Sequence, residues 1–225
     1  MKKVLAIIPA RGNSKGLKNK NIYPLNKKEL ILYTIEAAKN SKYITDVYVN
    51  SDSHKILDIA RNCQIKTYQR EAELALDDTK TQDVVYDMLR NIDKKYDTVI
   101  LLQPTSPLRD AKDIDEAFDL YYSSQATSLI SMSVPKHSPF KAFTLNEDNY
   151  LTGIVNNDYP FMPRQKLPTA YYPNGAIYIF GNDIFLKTKE FFSDKTIPYI
   201  MNETKSIDID SIEDIMLAEQ IIQNT

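Results

Sequence analysis

VLAIIP, from Val4 to Pro9, runs directly into ARGNSKGLKNKN, from Ala10 to Asn21, and the join between these two stretches decides the fold. Six uncharged residues bounded by polar sequence read as a β-strand covered on both faces, the kind that fills a mostly parallel sheet. Such a strand empties into a loop at the C-terminal edge of the sheet, where open α/β folds bind ligands. That loop holds Arg11, Gly12, Lys15, Gly16 and Lys20. Small residues let backbone N–H groups approach an anion and the cations neutralise it, as a nucleoside triphosphate requires. The loop matches neither G-x-x-x-x-G-K-[ST] nor G-x-G-x-x-G, and a solvated basic surface loop accounts for the same charges.

Beyond the loop, helical and strand patterns alternate. Glu29 to Lys39 reads as a helix with Leu30, Tyr33, Thr34 and Ala37 on one face, and Val47 to Asn50 as a strand. Ser53 stands where an N-cap belongs, before a helix through Ile56, Ile59 and Ala60. Ile65 to Tyr68 predicts a strand, Thr81 to Ile92 a helix, Thr98 to Leu102 a buried strand, Asp110 to Tyr122 a helix and Thr127 to Val134 a strand. This order predicts an α/β fold, a mostly parallel central sheet flanked by helices.

From Pro135 to Pro173 the alternation is lost. The segment carries six of the eleven prolines and only short strand-like pieces such as Tyr150 to Val155. A long irregular stretch of this kind reads as an inserted arm, functional or interfacial. Ala176 to Phe180 then reads as a strand and Ile207 to Ile209 as a short one, while Ser211 with Asp214 forms a capping box opening a last helix through Ile222. With no break in composition, the expectation is one domain over residues 1–225, with the arm at 135–173.

Composition narrows the function classes. Hydrophobic residues make up 43% and charged residues 26% of 225 residues, an ordinary globular mixture without an apolar run long enough for a bilayer. Arg11 cuts the first apolar run short and no small-residue cleavage site follows, so the start does not read as a secretory signal. One cysteine, Cys63, excludes an intramolecular disulfide, and the cytoplasm is the expected location. A net charge of −2 argues against a sequence-independent grip on nucleic acid. With only His54 and His137, chemistry centred on imidazole has little material, and both read as structural, as does Cys63.

Asp208 and Asp210 stand at i and i+2 in the expected short strand, so both project to one face while Ile207 and Ile209 take the other. Paired carboxylates suit Mg²⁺, which takes one or two of them and completes its shell with phosphate oxygens and water. Solvent-facing strand residues are the alternative reading. Gln103 closes an apolar strand just before Pro104, which puts its amide at the ligand edge of the sheet.

IIPARGNSKGLKNKN at Ile7 to Asn21 resembles the N-terminal signature of the CMP-sialic acid synthetase family. The likeness continues in order through LLQPTSPLR at Leu101 to Arg109, RQKLPTAYYPNGAIYI at Arg164 to Ile179 and SIDID at Ser206 to Asp210. The resemblance implies a nucleotide-diphosphosugar-transferase-like, Rossmann-like fold and a homodimer whose arms reach toward each other's active sites. It places Arg11, Gly12, Ser14 and Lys15 at a CTP triphosphate loop, with Lys20 and Asn21 at its end. Arg70 and Thr81 fall where the family holds base or ribose, and Asp208 and Asp210 at its metal-binding aspartates. Lys15, Arg11 and Asp210 are the residues it assigns to catalysis. Family loops commonly carry a proline near Leu17 and Lys18, and this chain has none there.

An acidic sugar needs a cation for its carboxylate and amides or hydroxyls for its ring. Arg164, Gln165, Tyr171, Asn174 and Tyr178 supply that set, and the resemblance puts Gln103 near the acceptor and Lys141 with Arg164 across the dimer interface. Phe191 and Phe192 match an aromatic pair of the family's acceptor pocket; core packing is the other reading of such a pair. The implied reaction is attack by the sugar's anomeric hydroxyl on the α-phosphorus of CTP, governed by positioning and charge neutralisation. The acceptor implied by the resemblance is an acidic nonulosonic sugar such as N-acetylneuraminate or legionaminate. Rivals are a Kdo or pseudaminate cytidylyltransferase, a non-catalytic nucleotide-sugar-binding protein and a dinucleotide-binding dehydrogenase; the last lacks its glycine fingerprint.

Overall fold

The computed structural model describes residues 2–224. In chain order they form β1 (Val4–Pro9), β2 (Pro24–Leu25), β3 (Lys28–Glu29), α1 (Leu30–Asn40), β4 (Asp46–Ser51), α2 (His54–Asn62), β5 (Lys66–Gln69), α3 (Thr81–Asn91) and β6 (Thr98–Leu101). There follow α4 (Ala111–Ser123), β7 (Ser128–Ser133), β8 (Phe143–Leu145), β9 (Leu151–Gly153), β10 (Tyr172–Gly181), α5 (Asn182–Thr188), β11 (Thr196–Ile200) and α6 (Ile212–Gln223).

Seven strands make one sheet in the order β11-β7-β10-β6-β1-β4-β5. β1 pairs in parallel with β4 and β6, Ala6 standing opposite Val47 on one side and Ile100 on the other. Only β10 among these strands runs antiparallel to its neighbours. Hydrophobic alternation fixes which face a residue takes but not the direction of its strand, so this reversal was not readable from the pattern.

Both faces of β1 are buried, as its unbroken apolar run predicts. Val4, Ala6 and Ile8 pack with Ile31 and Ile35 of α1, Ile56 and Leu57 of α2, and Ile114 and Phe118 of α4. Leu5 and Ile7 face the other way, onto Val85 and Met88 of α3 and Phe185 of α5. Burying each such side chain contributes about 1.5–3 kcal/mol, so the strand that delivers the loop is anchored from both layers.

Helix starts follow local chemistry. Asp110 and Asp113 form a reciprocal capping box on α4, and Ser211 and Asp214 form the expected one on α6. Ser53 does precede α2, but its hydroxyl makes no cap bond.

The predicted strand at Ile207 to Ile209 does not form. The segment is extended but unpaired, tied by the Ile209 N–H donating to the Thr105 carbonyl at 2.8 Å. Its alternation survives without a ladder: Ile209 is fully buried with Leu25, Leu30 and Ile215, while Asp208 and Asp210 on either side are exposed.

Residues 135–173 contain a two-stranded hairpin, β8 with β9, and three single-turn 3-10 helices. Leu145, Leu151, Ile154 and Val155 are exposed there, and Phe161 is 81% exposed, far more apolar surface than a solvated loop needs.

Candidate active site

A cleft of about 300 Å³ opens at the C-terminal ends of β1 and β6. Pro9 and the residues after it form one wall, Gln103, Pro104 and Thr105 the floor, and Asp208 with Asp210 a further wall. Arg11, Ser14, Lys20, Asn21, Arg70 and Thr81 also line it. The N-terminal loop and the distant aspartates therefore share one cavity.

The loop is held by bonds to its surroundings. The Gly12 N–H donates to Asp52 Oδ1 at 2.9 Å, and the Asn21 amide donates to the Arg11 carbonyl at 2.9 Å. A Cβ on Gly12 would stand 2.9 Å from Ser53 Cβ, and one on Gly16 would stand 2.6 Å from the Asp210 carbonyl oxygen. The Gly12 N–H, expected to face phosphate, is bonded to Asp52 here. Both glycines serve close packing, Gly12 against the start of α2 and Gly16 against the acidic segment.

Three cations of the loop, Arg11, Lys15 and Lys20, have carboxylate partners. Arg11 Nη1 and Lys15 Nζ contact the two oxygens of Asp77 at 2.7 and 2.8 Å. Lys20 Nζ lies 2.7 Å from Asp210 Oδ1. The hydrogen bond from Lys15, followed by that from Arg11, lowers the Asp77 carboxyl below its ordinary range.

Arg70 is buried and gives Nε to Asn50 Oδ1 at 2.8 Å, Nη2 to the Asn50 carbonyl at 3.0 Å and Nη1 to the Leu74 carbonyl at 3.4 Å. Burial lowers its pKa to about 10, with Asp52 opposing and Arg11 adding to the shift, so it keeps its charge at neutral pH.

Asp208 keeps solvent contact, yet the protein crowded around it raises its pKa by desolvation. The Thr105 side chain opposes that shift, Asp210 adds to it, Lys20 opposes it, and Asp214 adds to it. An acidic pair under mutual repulsion, with an ammonium already resting on Asp210, is a place that accepts positive charge. Among the described residues no group of three or more His, Cys, Asp or Glu side chains is placed to hold a metal ion. Two carboxylates fit Mg²⁺, which draws its remaining ligands from phosphate and water. Asp214 is engaged elsewhere, accepting from the Asp210 and Ser211 N–H groups at 3.0 and 2.8 Å.

Gln103 rests on Gly175, where φ is +76° and a Cβ would stand 2.6 Å from Gln103 Oε1. Behind it, Arg109 Nη2 donates to Thr34 Oγ1 at 2.8 Å, and the Thr34 hydroxyl reaches the Gln103 carbonyl at 3.5 Å.

The other expected sugar contacts are dispersed. Asn174 is buried and its amide is committed: Oδ1 accepts from Ser131 Oγ at 2.6 Å and Nδ2 donates to Ser206 Oγ at 2.9 Å. It braces the segment before Asp208 and does not line this cleft. Tyr178 is half-buried and close enough to Asp208 for that charge to add to the rise in pKa that burial causes. Phe191 is core, packed on Tyr178, Phe180 and Phe185, whereas Phe192 is 67% exposed. Lys141, Arg164, Gln165 and Tyr171 are exposed on or beside the arm and do not line this cleft.

Sequence reasoning missed Asp52, Asp77, Thr105 and Gly175. Asp77 lies inside REAELALDDTKT, where an acidic run looks like ordinary helix-flanking polarity. For Gly175 the signal was present, since an isolated glycine in a strand marks close approach by another group.

The model of the cytidylyltransferase family matches residues 5–224. The chain is 36% identical over 216 residues to an N-acylneuraminate cytidylyltransferase of Streptococcus agalactiae serotype V, covering 95% of this chain and 52% of that protein. It thus spans about half the length of the first relatives it matches. It is 34% identical to a CMP-N,N'-diacetyllegionaminic acid synthase of Campylobacter jejuni, covering 99% of this chain and 96% of the other. A solved CMP:2-keto-3-deoxy-manno-octonic acid synthetase complexed with CTP superposes with a TM-score of 0.74 over 99% of both chains; at 14% identity this likeness concerns the fold.

Proposed function

Because this chain belongs to the cytidylyltransferase family, we propose that it transfers CMP from CTP to the anomeric hydroxyl of an acidic nonulosonic sugar, releasing pyrophosphate. The observation that carries the proposal is the meeting of the basic loop and the acidic segment in one cleft, with Lys20 on Asp210 at 2.7 Å. N-acetylneuraminate and legionaminate are the acceptors favoured by the names of a longer relative, an N-acylneuraminate cytidylyltransferase, and of one matched over nearly its whole length, a CMP-N,N'-diacetyllegionaminic acid synthase.

In this reading Arg11, Lys15 and Lys20 bind the triphosphate, each leaving its present carboxylate for a phosphate oxygen. Ser14 and Asn21 shape the loop, and Arg70 and Thr81 flank the nucleoside. Asp208 and Asp210 would hold Mg²⁺, which would supply charge neutralisation along the triphosphate. The sugar oxygen forms a bond to the α-phosphorus as the bond to the β-phosphate bridging oxygen breaks. Pyrophosphate departs with that electron pair, and the hydroxyl proton passes to an aspartate of the cleft wall or to water.

Gln103 orients the acceptor at the floor, with Tyr178 beside Asp208. The exposed apolar residues of the arm support pairing with a second copy, which would bring Lys141 and Arg164 to the partner's cleft. Among the described residues no helix is long and apolar enough to cross a membrane, which suits a cytoplasmic enzyme acting on soluble substrates.

The test is pyrophosphate release by the purified protein with CTP, Mg²⁺ and each of N-acetylneuraminate, legionaminate, pseudaminate and Kdo. Turnover with a nine-carbon acid supports the proposal. Turnover with Kdo alone, or CTP binding without turnover on any sugar, would contradict it.

A further inference from the structure

Two cations of one loop share one carboxylate. Arg11 Nη1 meets Asp77 Oδ1 at 2.7 Å and Lys15 Nζ meets Asp77 Oδ2 at 2.8 Å, and Asp77 itself lines the cleft. A carboxylate that offers one oxygen to each of two cations is arranged as a phosphate group would be between them. Lys20 in turn rests on Asp210, so part of the loop's positive charge is offset from within the chain.

We infer that Asp77 is an internal competitor for the polyphosphate of the nucleotide, occupying the Arg11 and Lys15 positions until the β- and γ-phosphates displace it. The inference rests on the triphosphate reading of the loop proposed above. The competition has a direction for each stage of turnover. It weakens binding of a nucleoside triphosphate, because two ion pairs must be exchanged rather than formed. It also favours departure of pyrophosphate, because the carboxylate returns to the vacated cations. A nucleoside monophosphate, which lacks the outer phosphates, has no such exchange to make.

The exposure of all three side chains sets the scale. Solvated ion pairs are weak, so the carboxylate tunes affinity rather than closing the site, and its removal should tighten polyphosphate binding about threefold to tenfold. Asp78, the next residue, lines a different cavity and provides a control that changes charge by the same amount.

The experiment is calorimetric titration of the full-length protein with CTP, inorganic pyrophosphate and CMP, each with Mg²⁺ and without acceptor sugar. It compares the wild type with Asp77→Asn, Asp77→Ala, Asp78→Asn and Arg11→Ala. The expected result is tighter CTP and pyrophosphate binding by both Asp77 variants, with CMP unchanged and Asp78→Asn like the wild type. Unchanged or weaker polyphosphate binding in the Asp77 variants would overturn the inference, as would equal tightening by Asp78→Asn or equal tightening of CMP. Arg11→Ala separates the two levels of the argument: if it leaves CTP affinity at the wild-type value, the triphosphate reading of the loop fails first.

Discussion

Lys20 Nζ and Asp210 Oδ1, 190 residues apart in the chain, meet at 2.7 Å. The contact joins the turn that follows β1 to the extended segment before α6, and Gly16 seals the same junction against the Asp210 carbonyl. A cation that would serve phosphate and a carboxylate that would serve a metal ion thus neutralise each other. On the proposed function triphosphate and divalent ion would replace both halves of this pair together, which predicts that each promotes binding of the other.

Asp210→Ala removes the carboxylate proposed to hold Mg²⁺, at an exposed position. Pyrophosphate release at saturating CTP and Mg²⁺ should fall by about a hundredfold or more, while the melting temperature stays near that of the wild type. Near-normal turnover would remove Asp210 from the reaction.

Gly16→Ala places a Cβ 2.6 Å from a backbone oxygen, so the loop and the acidic segment must part. A stability loss of about 1–3 kcal/mol is expected, together with a lower kcat/KM for CTP. Thermal melts and initial rates check both, and a fully active, fully stable variant would show that the junction tolerates separation.

Gly175→Ala tests the proposed acceptor floor at Gln103. At φ +76° the alanine costs about 1 kcal/mol or more in backbone strain, and its methyl would collide with Gln103 Oε1. The KM for the sugar should rise with little change in the KM for CTP, measured by varying each substrate in turn.

Asp46 lies at the opposite edge of the sheet and provides a contrast. Burial alone would raise its carboxyl, but hydrogen bonds from Lys66, Lys94 and Tyr96 outweigh burial and hold it at about 2. Its folded pKa is depressed, so the stability it contributes is present above the unfolded value of about 3.9 and is lost as pH falls toward 2. Both lysines are solvated, which limits the effect to about 1 kcal/mol. Asp46→Asn should therefore melt lower than the wild type at pH 7 but not at pH 2, with unchanged kinetics for both substrates.

The β1 strand, its loop and the capping box at Ser211 were legible because they depend on neighbours within a few residues. Asp208 and Asp210 were legible as a pair on one face, although Ile207 to Ile209 lacks strand partners; burial of Ile209, with Ile207 packed against the same cluster, imposes the alternation. Asn174 shows where composition misleads. An amide beside predicted sugar ligands proves to be consumed by Ser131 and Ser206, long-range partners that no local pattern marks. Phe191 and Phe192 are adjacent in sequence, yet one belongs to the core and the other to solvent, a division made by where α5 meets β10. Asp77 was hidden for the opposite reason, since its role depends on the distant Arg11 and Lys15 rather than on its acidic neighbours.

A double-mutant cycle on kcat/KM for CTP, read by pyrophosphate release for Lys20→Ala, Asp210→Ala and the pair together, tests the assembled cleft most directly. If both side chains serve one metal-bound triphosphate, each single change already disables the unit, and the double variant should stay within about threefold of the worse single. Losses that multiply would mean that the two residues act independently, and the cleft described here would not be the place where the reaction occurs.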